Sequence, residues 1–214
     1  MKRFGNIMKV NFHTDQPHPR KRILDASIKL FAELGYERTS IDLICKEAKV
    51  NRAMVSYYYG GKLTLFREII ENSTYEFLRK LREKVYNEKS AKQRLRVFIK
   101  LYIERNFQET LVTEIIVREV GSNLANSSDF LTPHFLQVIA VLTDVIQEGT
   151  ETGTFNNTIA PIVMASYVFS ALNSYFVLHR LIQQAGSAPL IDPDHRNLIA
   201  EQLYKLILKG ISAK

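Results

Sequence analysis

The chain has 214 residues, 46% of them hydrophobic, with only 9 glycines, 6 prolines and a net charge of +7. That length and apolar content give it enough to bury a substantial core and exclude wholesale disorder. The single Cys45 excludes an internal disulfide and any cysteine-cluster zinc site, and the five histidines at 13, 18, 134, 179 and 195 are too scattered for a metal centre.

The charge is unevenly spread. Residues 1–66 carry a net +6, residues 67–105 a net +5 and residues 106–214 a net −4. A basic first half suits a polyanionic partner, and an acidic second half does not. No Gly-rich phosphate loop or nucleophile motif is present in the sequence. An enzyme, a metal and a cofactor are therefore not expected.

Residues 1–19 lack helical periodicity and end in Pro17 and Pro19. They read as a flexible basic arm. Lys2, Arg3 and Lys9 either reach a neighbouring minor groove or belong to a solvated terminus, and Met8 is an alternative start. No apolar run follows Lys2 and Arg3, so no secretory signal is expected. A first helix over roughly 20–34 follows from the stripe Ile23, Ser27, Leu30, Phe31 and Leu34, stopped by Gly35.

Residues 38–66 carry the strongest signal. Thr39 and Ser40 both suit a helix N-cap, and Asp42 three residues after Thr39 comes close to a capping box. Ile41, Ile44, Cys45 and Ala48 recur at helical spacing over 40–47 and would face inward, making Cys45 a small core residue. Lys49-Val50-Asn51 makes a turn, and Asn51 is a good N-cap for a helix over 52–58 whose buried side is Val55 and Tyr59. Two short helices joined by a tight turn are the layout of a helix-turn-helix, whose second helix enters the major groove.

Residues 20–66 resemble the DNA-binding domain of TetR-family transcriptional regulators. The resemblance rests on Arg20-Lys21-Arg22, Ile23-Leu24-Asp25-Ala26 and Leu30-Phe31-Ala32-Glu33-Leu34-Gly35-Tyr36. It continues through Thr39-Ser40-Ile41, Ala48, Val50-Asn51, Tyr57-Tyr58-Tyr59 and Gly61-Lys62. Three positions depart from the pattern. Lys49 and Ala53 stand where glycine is frequent, and Leu63 replaces an acidic residue. A left-handed Lys49 would cost about 1 kcal/mol relative to glycine. The resemblance implies nine helices and a dimer built on the last two.

The DNA-binding candidates are Thr39, Ser40, Asn51, Arg52, Ala53, Met54, Ser56, Tyr57, Tyr58 and Lys62. Arg52, early in the second helix of the motif, suits a bidentate contact to guanine. Ala53 and Ser56 can meet base edges or a thymine methyl, and Met54 either does the same or packs against the motif. Tyr57 and Tyr58 offer hydroxyls to phosphate, or belong partly to the core. Lys62 begins the next helix, where its ammonium and the helix N-terminus both favour phosphate. Thr39 and Ser40 could donate to phosphate, and Arg20 and Arg22 either add charge or form a solvated face.

A long helix over 62–86 links the two halves, followed by helices near 90–106, 110–125, 132–151, 159–184 and 194–211. Breaks at Gly121–Asp129, Gly149–Asn157 and Gly186–Asp194 are rich in turn residues. The fold expected is all-α. An N-terminal three-helix helix-turn-helix domain over 20–66 precedes a helical ligand-binding and dimerisation domain over 67–214. The apolar stretch 159–178 contains Pro161, Ser166, Ser170, Asn173 and Ser174, which favours a buried helix over a membrane span.

Tyr102, Phe107, Arg118, His134, Tyr167, Asn173 and Phe176 are candidates for a small-molecule site, either lining a pocket or serving as ordinary core and helix-end groups. The combined expectation is a cytoplasmic homodimeric repressor, paired through its last two helices and released from a palindromic operator by an unknown small-molecule effector. The alternative is a DNA-binding factor without such a ligand, acting through protein partners or non-specific binding.

Overall fold

The computed structural model describes residues 17–122, 127–186 and 195–213. Residues 1–16 of the expected arm, and the side chains of His179 and Arg180, lie outside the described residues. Among those described there are nine helices and no strand. They are α1 (Pro19–Leu34), α2 (Ile41–Ala48), α3 (Arg52–Tyr59), α4 (Lys62–Tyr86), α5 (Ala91–Gln108), α6 (Thr110–Gly121), α7 (Ser128–Glu151), α8 (Pro161–Gln184) and α9 (Arg196–Ile211).

Local chemistry sets the first boundaries. His18 Nδ1 accepts the Arg20 amide at 3.3 Å, and Pro19 occupies the first helical position, where its missing N–H costs nothing. Ser40 accepts the Leu43 amide at 3.2 Å and Asn51 the Met54 amide at 2.9 Å, so each helix of the motif opens on a side-chain cap. Lys49 is left-handed with φ 53°, the only non-glycine with positive φ among the described residues. Its amide closes α2 on the Lys46 carbonyl, while Val50 returns to Cys45 at 3.0 Å. Because Ser40 is the cap, Asp42 falls one position short of a capping box.

Two apolar cores share α4. The first joins α1–α3 to the start of α4 through Ile23, Phe31, Ile44, Val55, Phe66 and Ile70. It also takes in Ile115 and Ile116 of α6 and Phe130 and Leu131 of α7. Phe66 is its hub, with ring centroids 4.9 Å from Phe31 and 4.8 Å from Tyr36. The second core fills the space between the far half of α4 and α5, α7, α8 and α9, around Leu81, Leu95, Phe98, Leu142, Val168 and Ile207.

α7 begins at Ser128, ahead of the expected 132, although Pro133 lies inside it. Burial of Phe130 and Leu131 outweighs the one backbone hydrogen bond that Pro133 removes. Asp129 in the same turn pairs with Arg67 of α4, which seats α7 against the helix leading out of the first core. α7 and residues 161–178 of α8 are each long and apolar enough to cross a membrane by length and composition. α7 is packed into both cores, whereas α8 turns Ile162, Val163 and Tyr167 outward.

Candidate nucleic-acid interface and effector cavity

Val55 and Tyr59 anchor α3 in the first core, and the Tyr59 hydroxyl donates to the Arg20 carbonyl at 2.8 Å. That anchoring turns Arg52, Ala53, Met54, Ser56 and Tyr57 outward, with Tyr57 83% exposed. No carboxylate lies on α3, so the face is open to a polyanion. Arg52 stands 3.3 Å from Asp42 of α2. Both are well exposed, so the pair contributes little to stability and a base edge can replace it.

The other candidates divide by what already holds them. Asn51 spends its side-chain oxygen on the α3 cap. Ser40 uses its hydroxyl oxygen as the α2 cap and keeps a proton to donate. Tyr58 is half-buried, packed edge-on to His18 at 5.6 Å and Tyr57 at 5.0 Å. The Lys62 ammonium lies 4.0 Å over the Tyr36 ring and 3.5 Å from the Glu37 carbonyl oxygen. Thr39 departs from the expectation. It is 1% exposed, and its hydroxyl donates to the carbonyls of Leu30 at 3.2 Å and Gly35 at 2.8 Å. It ties the α1–α2 corner together and does not reach the surface.

In the second half, a cavity of about 30 Å³ lies among α4, α5, α6, α7 and α8. Tyr102, His134 and Asn173 line it as expected. The Tyr102 hydroxyl donates to Asn173 Oδ1 at 2.8 Å, and burial pushes its phenol up to about 12, so it stays protonated. Burial pushes the His134 imidazole down, and Arg105 works in the same direction against Glu71.

Four expected ligand contacts lie elsewhere. The Arg118 guanidinium donates to the carbonyls of Ala32 at 2.9 Å and Glu33 at 3.3 Å, because α6 packs its polar flank against the end of α1. Phe107 and Phe176 meet each other edge-on at 6.0 Å, partly buried against the second core and away from the cavity. Tyr167 is 66% exposed on the outer side of α8.

The sequence reading missed Arg105, Thr113, Phe77 and Phe135, which also line the cavity. A signal for Arg105 was present, since Glu109 follows it one helical turn later at ion-pair spacing.

Comparison with known proteins agrees with this architecture. The family profile described as bacterial regulatory proteins, tetR family, matches residues 23–69. The profile described as YsiA-like protein, C-terminal region, matches residues 70–185. The HTH-type transcriptional repressor NicS of Pseudomonas putida is 28% identical over 162 residues, covering 73% of this chain and 74% of that protein. The ketosteroid transcriptional regulator KstR2 of Mycobacterium tuberculosis superposes with a TM-score of 0.76 at 15% identity, over 93% of this chain and 97% of that one. The regulator FadR from Bacillus subtilis, solved in complex with stearoyl-CoA, gives 0.72 at 16% identity, over 89% and 98%. With both halves of the chain matched in order, and with an outward-facing second helix in the motif, the chain belongs to the TetR family of bacterial transcriptional regulators.

Proposed function

We propose that this regulator is a cytoplasmic homodimeric repressor that grips a palindromic operator with two copies of α3 and lets go when a small molecule enters the cavity. The observation that carries the DNA-binding reading is the outer face of α3, which is fixed from behind by Val55 and Tyr59 and bears Arg52 but no acid. In this reading residues 20–66 bind DNA, and residues 67–214 hold the effector and the second copy.

Arg52 reads a base, Ala53, Met54 and Ser56 approach base edges, and Ser40, Tyr57, Tyr58 and Lys62 meet the backbone. Asn51 acts through the position it gives α3. Dimerisation is supported by the apolar outer sides of α8 and α9, where Ile162, Val163, Tyr167 and Leu206 are exposed in the single chain. Effector control is supported by the relative solved with stearoyl-CoA and by the cavity between α4 and its neighbours.

In-vitro selection from random duplexes at near-physiological salt tests the whole reading. A palindromic consensus is the expected result. No enrichment above background would favour non-specific or partner-dependent binding instead. On the selected site, Arg52→Ala is expected to cost about 1–3 kcal/mol and to relax choice at one base pair. Lys62→Ala should weaken cognate and scrambled duplexes alike and reduce the salt dependence by about one phosphate contact. Equal losses on cognate and scrambled DNA for Arg52→Ala would remove it from base readout.

A further inference from the structure

The cavity wall is mostly apolar, yet three polar atoms around it have no hydrogen-bond partner: Arg105 Nε, Thr113 Oγ1 and His134 Nδ1. A buried donor left unpaired carries a desolvation penalty, and a cation carries a larger one. Arg105 is the buried cation of the site, its side chain only 12% exposed. Its compensation is partial. Nη2 donates to Ser73 Oγ on α4 at 2.8 Å, and Nε lies 3.6 Å from the Glu109 carboxylate, too far for a hydrogen bond. Ser73 in turn donates to Glu109. Burial draws the guanidinium below its ordinary range, against the pull of Glu109.

Arg105 and Phe77 also line a second cavity, of about 140 Å³, between α4 and α5. The Phe77 ring lies 4.8 Å from the guanidinium carbon. The two side chains therefore stand as a partition between an inner chamber with room for a water or two and a larger outer cleft. Neither space holds a long acyl chain. With the partition moved aside, the combined space suits one ring or a short chain.

We infer that the cavity receives a compact organic acid, its carboxylate taken by Arg105 with the hydroxyl of Thr113 and the imidazole of His134, and its apolar body set among Phe77, Phe135 and Phe169. This rests on the reading of the cavity as the effector site. A carboxylate supplies acceptors for the guanidinium and the hydroxyl, and His134 meets it as the tautomer protonated on Nδ1. Binding draws Arg105 off Ser73 and Glu109. Ser73 lies on α4, whose first residue, Lys62, adjoins the α1–α2 corner. The group that senses the acid is thus also a tie between α5 and the helix leading to the DNA-binding half.

Fluorine NMR titration of the full chain with para-fluorobenzoate, and with its neutral counterpart para-fluorobenzamide, tests the inference. The acid is expected to bind at least about tenfold more tightly than the amide. Arg105→Gln should erase that preference. Glu109→Gln, at the exposed edge, should tighten acid binding severalfold by removing the competing carboxylate. Equal binding of acid and amide would overturn the anion assignment and leave the cavity standing as an effector site. Binding of neither compound at millimolar concentration would overturn the compact-acid assignment, while the regulator reading would still be decided by the duplex selection. Should Arg105→Gln fail to fold, unchanged or weaker acid binding to Glu109→Gln would be enough to remove Arg105 from the site.

Discussion

Replacing Gly149 by alanine is expected to cost about 3 kcal/mol or more of stability, although it adds a single methyl group. A Cβ at this position would lie 2.0 Å from Phe155 Cδ2, 2.3 Å from Cε2 and 2.8 Å from Cγ. Those ring atoms have nowhere to go, because Phe155 is 1% exposed and sits in the second core. The backbone is also fixed, since the Gly149 carbonyl accepts from Thr154 at 2.7 Å and from Phe155 at 2.8 Å. Expelling the ring loses most of what burying a phenylalanine contributes. For a chain of this size the melting temperature should fall by roughly 6–12 °C.

The damage should also spread to α9. The Asn156 amide donates to the Ile211 carbonyl at 2.8 Å, and Phe155 forms an isolated antiparallel bridge with Ser212. The turn after α7 therefore clasps the end of α9, one half of the proposed interface. Circular dichroism melts should register the stability loss, and sedimentation should register a weaker dimer. A melting temperature within about 2 °C of the parent would mean that the ring is free to move.

Features encoded over a few neighbouring residues were readable from the sequence. α4 runs over Lys62–Tyr86, matching the span drawn from its apolar stripe, and Asn51 opens α3. Lys49 takes the left-handed conformation that its place in the motif requires. Thr39 and Ser40 show the limit of such reading. Both are good caps, and only the register of α2 against α1 decides that Ser40 caps while Thr39 is buried.

The cavity depends on five helices spread along more than half the chain, so its lining was readable only in part. Arg105 and Arg118 look alike in sequence, each an arginine beside a glutamate and close to aliphatic residues. The difference is that α6 packs on α1 and spends Arg118 on the carbonyls of Ala32 and Glu33, whereas α5 faces the cavity. α8 is apolar around most of its circumference, so its composition does not reveal that Val168 and Leu172 are buried while Tyr167 is exposed.

That outer side of α8 leads to the second large expected effect. Val163→Asp should leave the protomer folded and split the proposed dimer. Val163 is 57% exposed in the single chain, so a carboxylate there is solvated and changes protomer stability by about 0.5 kcal/mol or less. In a two-fold dimer the same patch faces its own copy, so one substitution introduces two acids into one apolar seam. Burying an uncompensated carboxylate costs several kcal/mol, and here it would be incurred twice. From Pro161 to Leu178, α8 carries no charged side chain of its own to answer it. Sedimentation at micromolar concentration should give a monomer, with the parent helical circular dichroism intact. Affinity for the selected palindrome should fall at least about a hundredfold, because two half-sites are no longer gripped by one molecule. Binding to an isolated half-site should be unchanged, since α3 is anchored in the first core by Val55 and Tyr59 and capped by Asn51. A Val163→Asp chain that still sediments as a dimer would move the interface off this face, and with it the route by which an acid sensed at Arg105 could alter the spacing of the two recognition helices.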